Sequence, residues 1–195
     1  MSVEPKASTG TGSVGIDLGC KDTATDSNGD QVRGREYRAL EAQLGIAQRA
    51  NNKLRVRAIH AKIKHRRQDA LHKYSRKLVR ENAAIFIGNV SSLKLVKTKM
   101  AKSVLDAGWS TLKTMLEYKC DHAGIVFEEI NERYSTQTCS CCGAIPDSSP
   151  KGRTGLGIRE WSCSECGAEH HRDINAARNI LAAGHRRLAV GIPVL

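Results

Sequence analysis

The sequence predicts an α/β protein, a mixed sheet with helices packed against it, carrying a small cysteine-rich module. Three observations predict it. Apolar runs of strand character at 13–19 ("SVGIDLG"), 83–90 ("AAIFIGNV") and 125–130 ("IVFEEI") are separated by long stretches of helical periodicity. The last two runs flank one helix, and a strand, helix, strand succession normally closes a right-handed parallel crossover. Two Cys-x2-Cys pairs then stand 20 residues apart in a chain of 195, long enough for one domain with a real core and a small appended module.

Taken in order, residues 1–12 ("MSVEPKASTGTG") are small and polar and are expected to be disordered. "SVGIDLG" reads as a buried strand closed by an acid, Asp17, and a glycine. The Thr-rich segment 21–34 carries an Asn28-Gly29 turn signal, which predicts a hairpin. From Glu36 the period changes: Leu40, Leu44, Ala47, Asn51, Leu54, Ala58 and Ala61 recur every three or four residues, the stripe of an amphipathic helix with one polar interruption at Asn51. Ile63, Leu71, Tyr74 and Leu78 continue either that helix or a second one folded back on it. "AAIFIGNV" is the next strand. The helix after it turns Val104, Leu105, Trp109, Leu112, Met115 and Leu116 to the core, and "IVFEEI" is expected parallel to and beside the strand ending at Gly88. A final helix after residue 172 shares Ile174, Ala177, Ile180 and Leu181 on one face. There is no internal repeat.

Thirty-one Lys and Arg against 20 Asp and Glu give a net charge of +11. The excess is concentrated: residues 49–80 hold twelve basic residues and one acid, Asp69. Such a block favours a polyanion, because each phosphate it neutralises releases condensed counterions; the bland alternative is a solvated helix face. No stretch approaches the roughly 20 apolar residues of a membrane span, and the N-terminus lacks the apolar heart of a signal peptide, so a cytoplasmic, membrane-free protein is expected. In that compartment seven cysteines point to metal or reactivity rather than disulfides.

Cys139, Cys142, Cys163 and Cys166 form two like knuckles, "CSCCG" and "CSECG". Thiolates two residues apart in a tight turn can reach one ion, and two such turns supply the four sulfurs of a closed tetrahedral Zn²⁺ site. A closed site has no open position for substrate, so this zinc is expected to be structural. A redox pair is the alternative. Cys141 is surplus, Cys20 and Cys120 read as buried apolar residues, and His170 and His171 are either polar residues at the module's exit, nucleic-acid contacts or substitute ligands.

Among the acids, Asp17 stands out, because a carboxylate closing an apolar strand is costly to bury unless it is paired, hydrogen-bonded or holding a cation. Asp173 opens the last helix, where an ordinary N-cap is the competing reading. "GIDLG" also opens the phosphate hairpin of the actin and heat-shock ATPase fold, but the further glycine-rich phosphate loops of that fold are missing from the sequence.

The order "VGIDLG", "RRQDALHKYS", the strand at 85, "YSTQTCSCCG", "IREWSCSECG" and "RDINAARNI" resembles the C-terminal nuclease region of the OrfB/TnpB insertion-sequence proteins, relatives of the compact type V CRISPR effectors. The resemblance spans about 13–182. It implies an RNase H-like (RuvC-like) fold with a basic helical insertion at about 36–80 and an inserted four-cysteine zinc ribbon at 135–170. A nuclease core over 13–134 and a final core helix and tail over 171–195 complete the expected organisation. The implied activity is RNA-guided cleavage of DNA by two divalent ions, Mg²⁺ or Mn²⁺, with DNA and guide RNA as partners. Asp17 matches the first catalytic acid of that family and Asp173 the last. The usual middle Glu aligns with Gly88, and the family's neighbouring Asp aligns with Asn89. His171 also stands where the family often has Asp. Relatives further carry an N-terminal part that grips guide and target, and this chain is expected to lack it.

Glycine supplies no ligand, so another acid must reach the metal or the site is dead. Glu128 and Glu129 lie on the neighbouring strand; side chains alternate, so one of the two can face the gap, and Glu129 is the expected substitute, with Glu117 as a further candidate. Two function classes follow: a transposon-associated, metal-dependent DNA endonuclease domain, or a catalytically inactive DNA- or RNA-binding derivative of the same fold.

Overall fold

The computed structural model describes residues 10–90, 107–152 and 154–190. Among the described residues seven strands and four α-helices follow one another. They are β1 (Gly12–Leu18), β2 (Asp22–Asp26), β3 (Gln31–Arg33), α1 (Glu36–Arg49), α2 (Lys53–Glu81), β4 (Asn82–Gly88), α3 (Trp109–Ala123), β5 (Val126–Ile130), β6 (Glu160–Ser162), β7 (Glu169–His171) and α4 (Arg172–Ala189). The main sheet runs β3-β2-β1-β4-β5; the first three strands are antiparallel neighbours, while β1, β4 and β5 are parallel. β6 and β7 form a separate antiparallel ribbon.

Strand alternation divides the core. Val14, Ile16 and Leu18 of β1 and Ile85 and Ile87 of β4 pack with Leu71, Tyr74 and Leu78 of α2 and Trp109, Leu112, Met115 and Leu116 of α3. On the opposite face Phe86 and Ile130 pack on Ile180 of α4. The sheet therefore lies between α2/α3 and α4, and Gly15 and Asp17, out of phase with Val14 and Ile16, face α4.

Two glycines set how closely α4 sits. A Cβ on Gly15 would collide with the Ala177 carbonyl oxygen and the Leu181 backbone, and one on Gly184 with the Phe86 ring. Both collisions would push the helix off the sheet, so it seats only because these positions carry no side chain.

The hairpin expected at Asn28-Gly29 forms, with Gly29 at φ 98. The long amphipathic stripe is two helices rather than one. Asn51 adopts a left-handed φ of 49, and the Asn52 side chain caps α2 by accepting from the Arg55 N–H at 2.9 Å. The break at 50–52 resets the helical phase: Leu54, Ala58 and Ala61 turn outward, whereas Ile59 and Ile63 pack on Leu40, Leu44 and Ala47 of α1. The polar interruption at Asn51 was thus the turn itself. The expected core positions Val104 and Leu105 lie outside the described residues, as do residues 1–9 and the tail from 191; of the stretch 1–12 expected to be disordered, Gly12 instead opens β1. Among the described residues no helix is long and apolar enough to cross a membrane.

Candidate acidic cleft and four-cysteine centre

Parallel strands leave a crevice beyond their carboxyl ends, and ligands of open α/β sheets commonly bind there. Here the crevice is a cleft of about 430 Å³ whose lining includes Asp17, Trp109, Glu132, Arg159, Arg172 and Asp173. Asp17 is buried at the end of β1. Asp173 lies in the first turn of α4, one residue inside the helix start, with His171 as the N-cap residue. The position differs from that of a capping acid, although the helix dipole still favours a negative charge there.

Burial pushes the Asp17 carboxyl well above its usual range, and the nearby charges of Asp173 and Glu132 push it further, against the pull of Arg172 and Arg159. Burial also raises Glu132, opposed by Lys113. Three acids thus share one cleft, the arrangement in which like charges resist simultaneous ionisation unless a cation joins them. Arg159, just ahead of β6, answers part of this: its Nη1 donates to Asp173 Oδ1 at 2.7 Å and also to Oδ2.

Glu132 is the acid that sequence reasoning missed. Its carboxylate fills the space above Gly88: a Cβ there would stand 2.5 Å from Glu132 Oε2 and 3.3 Å from Ile180 Cδ1. Glu129 is held elsewhere. It faces α3, where its carboxylate accepts from Lys113 Nζ at 2.5 Å, on the side of the sheet opposite Asp17. Glu128 has the correct phase, opposite Phe86 in register, but lies below the cleft, buried beside Arg187 Nε at 3.4 Å. Glu117 is exposed on α3. The usable signal was Ile130: an apolar residue facing the core puts 128, 130 and 132 on one side, and the third of these lies past the strand end, level with the cleft.

The four cysteines come together. The sulfurs of Cys139, Cys142, Cys163 and Cys166 all lie within 4.8 Å of one another. The Cys139–Cys166 and Cys142–Cys163 separations are 3.7 and 3.8 Å. Zinc–sulfur bonds of about 2.3 Å in a tetrahedron put sulfurs roughly 3.8 Å apart, a spacing that these two pairs match. Burial raises the Cys139 thiol, but N–H groups of Cys142 and Cys141 and the His170 ring more than offset it, leaving it at about 6. His170 Nε2 lies 3.0 Å from Cys139 Sγ, with its ring tilted over Trp161. His170 is thus in hydrogen-bond contact with a knuckle sulfur, while the buried His171 Nδ1 has no hydrogen-bond partner among the described residues. Cys120 is buried and pushed up to about 12, Cys20 is half-buried in the acidic cleft, and Cys141 is exposed.

A mixed α/β sheet with an acidic cleft at its parallel ends and a four-thiol cluster that could hold a metal ion defines an α/β class of protein with a candidate metal centre. Within it the chain belongs to the OrfB_IS605 family, described as probable transposases, which matches residues 1–102; a Cas12f1-like TNB domain matches 109–180. A Streptomyces pristinaespiralis protein carrying the name of an RNA-guided DNA endonuclease is 40% identical over 93% of this chain and 47% of its own length. The CRISPR-associated endodeoxyribonuclease Cas12f1 of Sulfoacidibacillus thermotolerans is 32% identical over 64% of this chain and 29% of its own. A solved CRISPR-Cas12f ternary complex superposes with a TM-score of 0.62 at 17% identity, over 92% of this chain and 40% of that one, which is a likeness of fold. The chain spans about half the length of the first two curated relatives it matches.

Proposed function

We propose that this chain is an RNase H-like (RuvC-like) nuclease core that hydrolyses DNA phosphodiesters with divalent cations held by Asp17, Asp173 and Glu132. The observation that carries it is the Glu132 carboxylate over Gly88, in the same cleft as Asp17 and Asp173. The sheet order and the parallel placement of β1, β4 and β5 support the fold assignment. Carboxylate oxygens suit hard Mg²⁺ or Mn²⁺, and two such ions, when bound, supply activation of a water and stabilisation of a leaving oxygen. Asp17 contributes a buried, charge-crowded carboxylate, and Arg159 holds Asp173 oriented. Glu132 takes the role expected of Glu129.

The four thiols would hold a structural Zn²⁺, closed to substrate. Because so small a ribbon has little core of its own, metal-binding energy there is largely folding energy. Removing zinc with a strong chelator is expected to open residues 135–172 to limited proteolysis while the sheet stays protected; unchanged protection of that segment would sink the zinc assignment.

α2 is 29 residues long, about 43 Å, and most of its basic side chains are exposed. It suits phosphate contacts that position rather than read a strand. DNA is the proposed substrate and guide RNA a proposed second partner, following the relatives' names, in the cytoplasm.

The direct test is Mn²⁺- or Mg²⁺-dependent cleavage of labelled single-stranded DNA by the purified chain beside Asp17→Ala. Cleavage is expected in the first and a loss of at least about a hundredfold in the second, with circular dichroism unchanged. Salt-sensitive DNA binding without turnover at any cation concentration would instead establish the binding-only derivative.

A further inference from the structure

The acidic cleft and the cysteine cluster are joined by one short loop, and two asparagines of α4 hold it. Asn175, 1% exposed, donates through Nδ2 to the carbonyls of Thr138 at 2.8 Å and Ser135 at 3.3 Å. Its Oδ1 accepts from the Ser140 backbone N–H at 2.9 Å. Asn179, one turn further along the same face, donates to the same two carbonyls at 2.8 and 2.7 Å. These contacts bracket a tight turn in which the Ser135 N–H donates to the Glu132 carbonyl and those of Gln137 and Thr138 to that of Tyr134.

Glu132 stands at one end of that turn and Cys139 at the other. Tyr134 between them holds a left-handed φ of 65, a conformation that persists in a side-chain-bearing residue only when its surroundings over-determine it. The chemistry of the bracket selects the amide. A carboxylate at 175 would face two carbonyl oxygens with oxygen, and a shorter apolar side chain would leave the Ser140 N–H without its acceptor and the two carbonyls to Asn179 alone.

We propose that Asn175 is a positioning residue that sets two things at once: the reach of Glu132 into the cleft, and the seat of Cys139 in the four-thiol cluster. It thereby couples the two metal sites through one side chain. The coupling to the cleft rests on reading Asp17, Asp173 and Glu132 as a divalent-cation site.

The test compares the full zinc-loaded chain with Asn175→Asp and Asn179→Ala, and with Ser75→Ala, which removes the hydrogen bonds of a buried hydroxyl to the Leu71 carbonyl and from Lys119 in the last third of α2, away from the bracket. Mn²⁺ binding is read by water-proton relaxation, zinc loss by its rate of transfer to a chromogenic chelator, and stability by thermal melting. Asn175→Asp is expected to weaken Mn²⁺ binding and to speed zinc transfer at least tenfold each. Asn179→Ala, which leaves Asn175 on the same carbonyls, is expected to move both in the same direction by less, and it carries the test if Asn175→Asp does not fold. Ser75→Ala is expected to lower the melting temperature alone.

Mn²⁺ binding and zinc transfer that stay within twofold of wild type, or that shift as much in Ser75→Ala, would overturn the bracket. Failure of the wild-type chain to bind Mn²⁺ would defeat the reading of the cleft and with it the coupling to that site. The seat of Cys139 would then be judged on zinc transfer alone, and unchanged transfer would overturn it.

Discussion

Glu132→Gln is expected to lower metal-dependent cleavage by a factor on the order of a hundred or more, whereas Glu129→Gln is expected to leave it within about twofold. The difference follows from which face of the sheet each carboxylate occupies. Glu132 loses its charge in the cleft beside Asp17 and Asp173. Glu129, itself half-exposed, loses only its pair with the largely buried Lys113, on the face of the sheet away from the cleft. Gly88→Ala is the sharper companion, because the added Cβ meets the flexible end of Glu132 first. The fold should survive with a melting temperature within a few degrees of wild type, while cleavage falls with Glu132→Gln. Equal losses in the Glu129 and Glu132 variants would return the third acid to the α3 side.

Asp17→Asn is expected to raise the melting temperature of the cation-free protein at neutral and alkaline pH while removing its response to Mn²⁺. The folded-state pKa of Asp17 is raised, chiefly by burial. As pH climbs from the ordinary carboxylate range towards that raised value, the unfolded chain releases a proton that the folded chain retains. Stability without cation therefore falls across this window, and none of the loss is present below it. On the proposed reading, divalent cations would bind the ionised form and displace the proton, so the gain in melting temperature on adding Mn²⁺ should grow with pH in the wild type. Asparagine has no proton to lose and no anionic oxygen to offer, so the slope should flatten to the part that Glu132 and Asp26, also raised by burial, contribute, and the gain should shrink sharply. Melting curves over a pH series, with and without Mn²⁺, decide this; a variant less stable than wild type at every pH would mean that Asp17 holds the fold together by hydrogen bonding instead.

Much of this site can be read from the residues. The knuckle spacing brought four sulfurs together because a Cys-x2-Cys turn is a local structure, indifferent to the rest of the fold. Asp17 could be singled out because an acid ending an apolar strand needs a reason to be there. Glu132 escaped notice because its position depends on a register between strands distant in sequence, with Gly88 opposite Ile130, and because "EE" at 128–129 offered two nearer acids. Arg159 was equally hidden. Its partner Asp173 is brought to it by the closing of the ribbon, where the Arg172 N–H meets the Arg159 carbonyl. The helix break at 51 was visible as a polar interruption, but its meaning depended on the left-handed backbone of Asn51, which no periodicity reports.

The seating of α4 on Gly15 and Gly184 bears on how such a site can change over generations. A carboxylate carried by a loop can be exchanged for one on a neighbouring loop by substitutions that each leave a folded protein. A helix docked by the lack of two methyl groups offers no such gradual route, since every replacement at those positions lifts it and takes Asp173 with it. On the proposed reading of the cleft, exchange of the third acid, carried beyond a strand end, would leave this seat untouched, while the helix that carries Asp173 is fixed in place by what its seat leaves out.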